Sequence, residues 1–416
     1  MAVIKLVFSL LAAFFIGYMP VYFLLEHKKE HLKEHIFIFF ISIYFGFFII
    51  SNYLIMLSLL KIKFSFFNAA VFALVFCAAF IFIQILKFIK AKQVRSKEHH
   101  NEVGDKNGNN IKTTGNLTEN EDNLREHEEN QKNNEKGKRE KTNKLFLIFQ
   151  AIFAFLIFIN LCIVAFFTFL FPIRFWDAIS CWSLKGRAFF IDGSVTAFYT
   201  QHQYIFTHLT YPLYISLSQT WIYIWLGGIN ETLVKAIFPL FYMSLIFIVY
   251  YLLRKEVTRL YAIISVFILS ALPVIMDHGY LEYTNLIFSV ILLLGVYYFY
   301  IYILNSSKSQ NQNRQIQTPS TGQNIRNNFK NLIISAVFFA ILVSIRSEGI
   351  LFLAIFLIIN TVYNLAVLPG SFSSKRSNII LNTAVSILLP VALILLLLAP
   401  WTFLQAKLNI LSLIHI

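Results

Sequence analysis

Long apolar runs separated by short polar breaks make up most of this chain, at about 3–25, 36–60, 65–89, 145–172, 211–228, 232–253, 259–276, 283–304, 331–345, 349–368 and 379–399. Most approach the roughly 20 residues a helix needs to cross a bilayer. Backbone polar groups in hydrocarbon must satisfy one another, which leaves helices or closed barrels. Barrel strands alternate apolar and polar positions, whereas these runs are continuously apolar. The pattern therefore predicts an all-α, polytopic transmembrane helical bundle of about 11 spans. The first run, Val3–Leu25, is followed by Glu26-His27-Lys28-Lys29 with no small-residue cleavage site, so it reads as a retained span and not as a signal peptide.

The polar breaks divide the chain. Residues 91–144 are rich in Asn, Lys and Glu, and are predicted to be a disordered cytoplasmic linker because they have too little apolar surface to bury. They separate an N-terminal three-span region, 1–90, from a larger membrane module, 145–416. A second polar stretch, Asn305 to Lys330, is rich in Gln and Asn.

Composition supports the membrane reading. Of 416 residues, 57% are hydrophobic, 45 are Phe and only 13% are charged, against about 25% charged in a soluble domain. The net charge of +14 does not signal nucleic acid, since the cations sit mainly between apolar runs, where cytoplasmic loops are basic. Cys77 and Cys162 lie in apolar runs and Cys181 stands in a loop without a Cys partner, so no disulfide framework is expected.

With the two polar stretches and Ser371–Asn378 placed inside, Arg174–Thr210, Asp277–Glu282 and Arg346–Gly349 fall outside. One conflict arises. Arg254, Lys255 and Arg259 also look cytoplasmic, yet two apolar runs separate them from the outer loop. Either 211–228 or 232–253 does not fully cross, or the charge rule fails there.

The chemistry-bearing residues lie at the outside breaks. In Phe175-Trp176-Asp177-Ala178-Ile179-Ser180-Cys181-Trp182-Ser183-Leu184-Lys185-Gly186-Arg187, a carboxylate sits at the boundary between two Trp residues, and two cations follow. Such a set suits a phosphorylated lipid, with cations on phosphate and the carboxylate taking a proton. The plainer alternative is that Trp, Lys185 and Arg187 are interfacial anchors and Asp177 starts a short helix. His202 and His208 are six apart and do not share a helix face, so no metal site is expected. His208, Tyr211 and Asp277 are candidate substrate contacts. Glu282 is either functional or a helix-start carboxylate that complements the dipole. Arg346 and Glu348 interrupt an apolar run, as a tight turn or as a phosphate contact.

The order of these features resembles the GT-C membrane glycosyltransferases, in particular the branch related to protein O-mannosyltransferases and lipid A aminoarabinose transferases. The resemblance covers about residues 145–402 and rests on Trp176-Asp177-Ala178 with Lys185-Gly186-Arg187, His208 with Tyr211-Pro212-Leu213, Gly279-Tyr280-Leu281-Glu282, Ser344–Gly349 and Ala399-Pro400-Trp401. It implies a first extracytoplasmic loop bearing short interfacial helices. It implies transfer of a sugar from a polyprenyl-phosphate donor to a glycan, lipid or protein acceptor with inversion, and no cofactor. It also implies Asp177 as general base, Glu282 as a second acid, and Lys185, Arg187 and Arg346 on the donor phosphate. The implied setting is the plasma membrane of a prokaryote. Two features depart from that pattern: Ala178 stands where many members carry a second acid, and the chain stops at Ile416 where many continue. The rival readings are a transporter or flippase of lipid-linked saccharides and a non-catalytic scaffold.

Overall fold

A computed structural model describes the backbone of residues 1–25, 32–102, 122–200, 207–315, 322–366 and 376–410. Among these residues the protein is helical and contains no strand. The helices are α1 (Ala2–Leu25), α2 (Leu32–Leu59), α3 (Phe66–Glu102), α4 (Asp122–Leu170), α5 (Leu184–Asp192), α6 (Thr196–Tyr199), α7 (Tyr214–Leu226), α8 (Ile237–Glu256), α9 (Arg259–Ala271), α10 (Pro273–Tyr280), α11 (Asn285–Gln315), α12 (Gly322–Ile345), α13 (Gly349–Ala366) and α14 (Arg376–Lys407). A π-helical turn, Ala178–Ser183, leads into α5, and a 3₁₀ turn, Leu233–Ala236, leads into α8. Of the stretch expected as linker, residues up to Glu102 continue α3 and residues from Asp122 begin α4, while 103–121 lie outside the described residues.

Eight helices among the described residues are long and apolar enough to cross a membrane, and the α9–α10 pair makes a possible ninth. Of the about 11 spans expected, these account for eight or nine. The other two apolar runs are 331–345, which lies within the 24-residue α12, and 211–228, which holds the 13-residue α7.

α7 has 13 residues, roughly 20 Å at 1.5 Å per residue, against a hydrocarbon core of about 30 Å. Its contacts show its course. Tyr214, at its start, donates to the Tyr44 carbonyl in the middle of α2. At its end, Leu226 accepts from Lys5 near the start of α1, and Trp225 meets Phe66 at the start of α3. The chain reaches α7 from the same end, where Phe64 donates to the Gly193 carbonyl and Val195 to Ser58. α7 therefore dips in and returns.

α8, by contrast, crosses. From Phe241 beside Tyr44 it runs to Tyr251 stacked on Phe37 at the start of α2. Arg254, Lys255 and Arg259 therefore sit at the opposite end of the bundle from the loop after α4, as the charge rule expects.

Two local devices shape the bundle. α1 and α2 cross at Gly17 and Gly46, where a β-carbon on either would run into the other helix's backbone carbonyl, at Ser42 or Ala13. The backbones touch there because small residues let membrane helices approach. Between α9 and α10 the chain bends by 67°. Pro273 opens α10 and cannot donate to the preceding turn. The buried Ser270 carbonyl near the bend accepts from the Tyr242 hydroxyl at 2.6 Å.

Candidate functional site

The ends of α4, α10 and α12, the start of α11 and the loop after α4 meet at one end of the bundle. Between them lies a polar cavity of about 320 Å³ lined by Asp177, Cys181, Trp182, His208, Tyr211, Tyr283, Thr284, Asn285 and Arg346.

The wall carrying Asp177 is built by local backbone geometry. Phe175 adopts a left-handed φ of 76°, which turns the chain sharply after α4. Ile179 then donates to the Phe175 carbonyl at 3.0 Å and the Ser180 hydroxyl to the Trp176 carbonyl at 2.8 Å. The wide π turn that follows brings Asp177, Cys181 and Trp182 to the same cavity. Such turns are rare and cluster at functional sites.

The opposite wall comes from Arg346. Its guanidinium forks onto Glu348, with contacts of 3.2 and 2.6 Å, and also donates to the Asn285 side chain. Asn285 in turn meets His278 at 3.3 Å. Burial alone raises the Glu348 carboxyl, but the Arg346 fork outweighs it and holds the group below its usual value. Arg346 is thus presented in one orientation, as a bidentate pair requires.

A column of rings forms the third wall. His208 stacks on Tyr211 at 4.9 Å, and Tyr211 on Trp182 at 5.5 Å. His208 occupies a left-handed turn with φ 52°. Burial, with the negative charges of Glu348 and Asp177, pushes the Tyr211 phenol up, against the pull of Arg346. The phenol therefore stays protonated near neutrality and remains a donor.

Of the sequence candidates, Asp177, His208, Tyr211 and Arg346 come together at this cavity. The other four do not line it, and each has a partner elsewhere. Lys185 is fully buried and donates to the His208 backbone carbonyl at 2.8 Å. Arg187 pairs with Glu231 at 2.5 Å. Asp277 accepts from Tyr280 at 2.6 Å. Glu282 is buried against Lys235 at 2.6 Å, and Lys235 also donates to the Phe171 carbonyl. That trio joins the end of α4, the start of α8 and the turn before α11. Burial raises the Glu282 carboxyl, opposed by Lys235. His202 lies outside the described residues.

Sequence reasoning missed Tyr283, Thr284 and Asn285 as lining residues and Lys235 as the partner of Glu282. A usable signal existed for Lys235, since a cation inside an apolar run demands a counter-charge. Among the described residues no cluster of three or more His, Cys, Asp or Glu side chains is placed to hold a metal ion.

Comparison of the chain with family models, with curated proteins and with solved structures found no match.

Proposed function

We propose that the cavity is the active site of a GT-C-like membrane glycosyltransferase that moves a sugar from a polyprenyl-phosphate donor to an acceptor hydroxyl with inversion. The observation that carries this reading is the meeting of an exposed carboxylate, Asp177, and an oriented guanidinium, Arg346, across one polar cavity at the helix ends. Asp177 takes the proton of the acceptor hydroxyl as its oxygen bonds to the anomeric carbon. The bond from that carbon to the phosphate oxygen breaks, and the phosphate leaves with the electron pair toward Arg346. Neutralising the leaving group electrostatically removes the need for a general acid.

The donor-phosphate role thus falls to Arg346, while Lys185, Arg187 and Glu282 serve the architecture around it. The cations Arg254, Lys255 and Arg259 sit at the opposite end of the bundle, which supports an extracytoplasmic cavity. A prokaryotic plasma membrane, with a glycan, lipid or protein acceptor, is the setting that fits.

The test is transfer from a panel of radiolabelled polyprenyl-phosphate sugars in membranes. Asp177→Asn is expected to lower the rate on the order of 10²–10⁴-fold. Full activity in that variant removes Asp177 as the base.

A transporter of lipid-linked saccharides is the second reading, favoured by the broken α9–α10 helix and the Asn160–Ser270–Tyr242 hydrogen bonds at its break. Movement of a labelled lipid-linked sugar across proteoliposomes, without transfer, selects it.

A further inference from the structure

Lys185 is the one buried cation that this site leaves unexplained. Its side chain is fully buried on α5, eight residues along from Asp177 and one turn past Cys181, which lines the cavity. Among the described residues it has no carboxylate partner, and its ammonium donates to a single acceptor, the backbone carbonyl of His208. A desolvated ammonium without a counter-charge is costly, and burial pushes this one down to about 7. An apolar side chain would fill the same space without that cost, so space-filling does not account for the amine.

The hydrogen bond itself does. The His208 carbonyl belongs to a residue in the left-handed region, a conformation that a residue with a β-carbon holds only when its surroundings fix it. The turn also has the Tyr211 amide donating to the same carbonyl at 3.0 Å. Around it, α7 is bonded to the π turn and the start of α5, Ser216 donating to the Trp182 carbonyl, Gln219 to the Ser183 hydroxyl and Thr220 to the Gly186 carbonyl. Those bonds tie α7 to the segment after Asp177 and do not reach the turn at 207–211.

We propose that Lys185 is a positioning residue that clamps the His208 turn to the Asp177-bearing segment, and so sets the gap between the carboxylate and the His208–Tyr211–Trp182 column. Its catalytic consequence rests on the transferase reading, whereas the clamp rests on the cavity alone. It acts through the backbone of His208 and touches neither substrate nor phosphate.

Hydrogen–deuterium exchange on the full-length protein in detergent or nanodiscs tests the clamp without any assay of transfer. Lys185→Met is expected to speed amide exchange in the 207–211 segment by about tenfold, a loss of roughly 1.4 kcal/mol of local protection. Exchange in α11 and in the second half of α7 stays at the wild-type rate. Unchanged exchange at 207–211, or acceleration spread evenly over the bundle, overturns the proposal. Should Lys185→Met fail to accumulate, Lys185→Arg keeps a donor for the carbonyl and is expected to retain the wild-type pattern; acceleration in that variant in α11 and the second half of α7, with 207–211 at the wild-type rate, also overturns it. If donors are transferred, Lys185→Met lowers kcat more than it raises KM, because the misplaced carboxylate affects the chemical step. An intact clamp with no transfer by the wild type leaves the positioning claim standing and removes only the transferase.

Discussion

Two buried lysines lie within the same end of the bundle and are held in opposite ways. Lys235 has a carboxylate, Glu282, at 2.6 Å and a backbone carbonyl besides. Lys185 has a backbone carbonyl only. The first neighbourhood is electrically closed, and it ties three chain segments together without lining the cavity. The second is electrically open, and it lies directly behind the cavity wall. An enclosed charge with its counter-charge reads as architecture, while one without it points to a task for the group that bears it.

The sharpest way to break this contrast is to open the closed pair. Glu282→Ala strands Lys235 in a dry seat and is expected to cost roughly 3–5 kcal/mol, seen as a large drop in unfolding temperature or in yield. Replacing both partners by apolar residues, Glu282→Leu with Lys235→Met, is expected to recover most of that loss. If the single and double variants unfold alike, the pair is not what holds the three segments.

A smaller effect separates the open lysine. In the unfolded chain Lys185 keeps its proton up to about 10.5, while the folded protein releases it above about 7. Between those values the unfolded state binds more protons, so stability rises with pH, by at most about 1.4 kcal/mol per unit. Thermal unfolding from pH 7 to 9 is expected to show this rise in the wild type relative to Lys185→Met. Parallel curves would mean that the amine is not desolvated as its burial implies.

The smallest effect is the control. Arg187 and Glu231 form a half-exposed pair, and Arg187→Ala is expected to change stability by about 0–1 kcal/mol and leave transfer at the wild-type rate. A large loss of transfer would return Arg187 to the donor phosphate.

The helical membrane architecture was legible in the chain because apolar runs carry it directly, and all 11 runs correspond to helices of some kind. Length was misjudged at 211–228, since hydropathy does not register that Gly227, with φ 75°, stops the helix or that Pro212 precedes it. Asp177 and Arg346 could be found because a charge at a membrane boundary, or between two apolar runs, is conspicuous. Lys185, Arg187 and Glu282 shared the correct end of the bundle, but an end says nothing about facing. The π turn changes the angular phase between Asp177 and Lys185, and the partners Glu231 and Lys235 come from a distant stretch of chain. Facing is a tertiary property, and spacing along one segment does not contain it.

Because α7 goes back the way it came, the chain on either side of it, around Phe171 and around Gly228, lies at one end of the bundle. A map made by counting hydrophobic peaks would add a crossing there and invert every assignment from Leu233 onward, sending the cavity's two halves to opposite faces. The short helix is what lets a carboxylate encoded early and a guanidinium encoded late share one solvent.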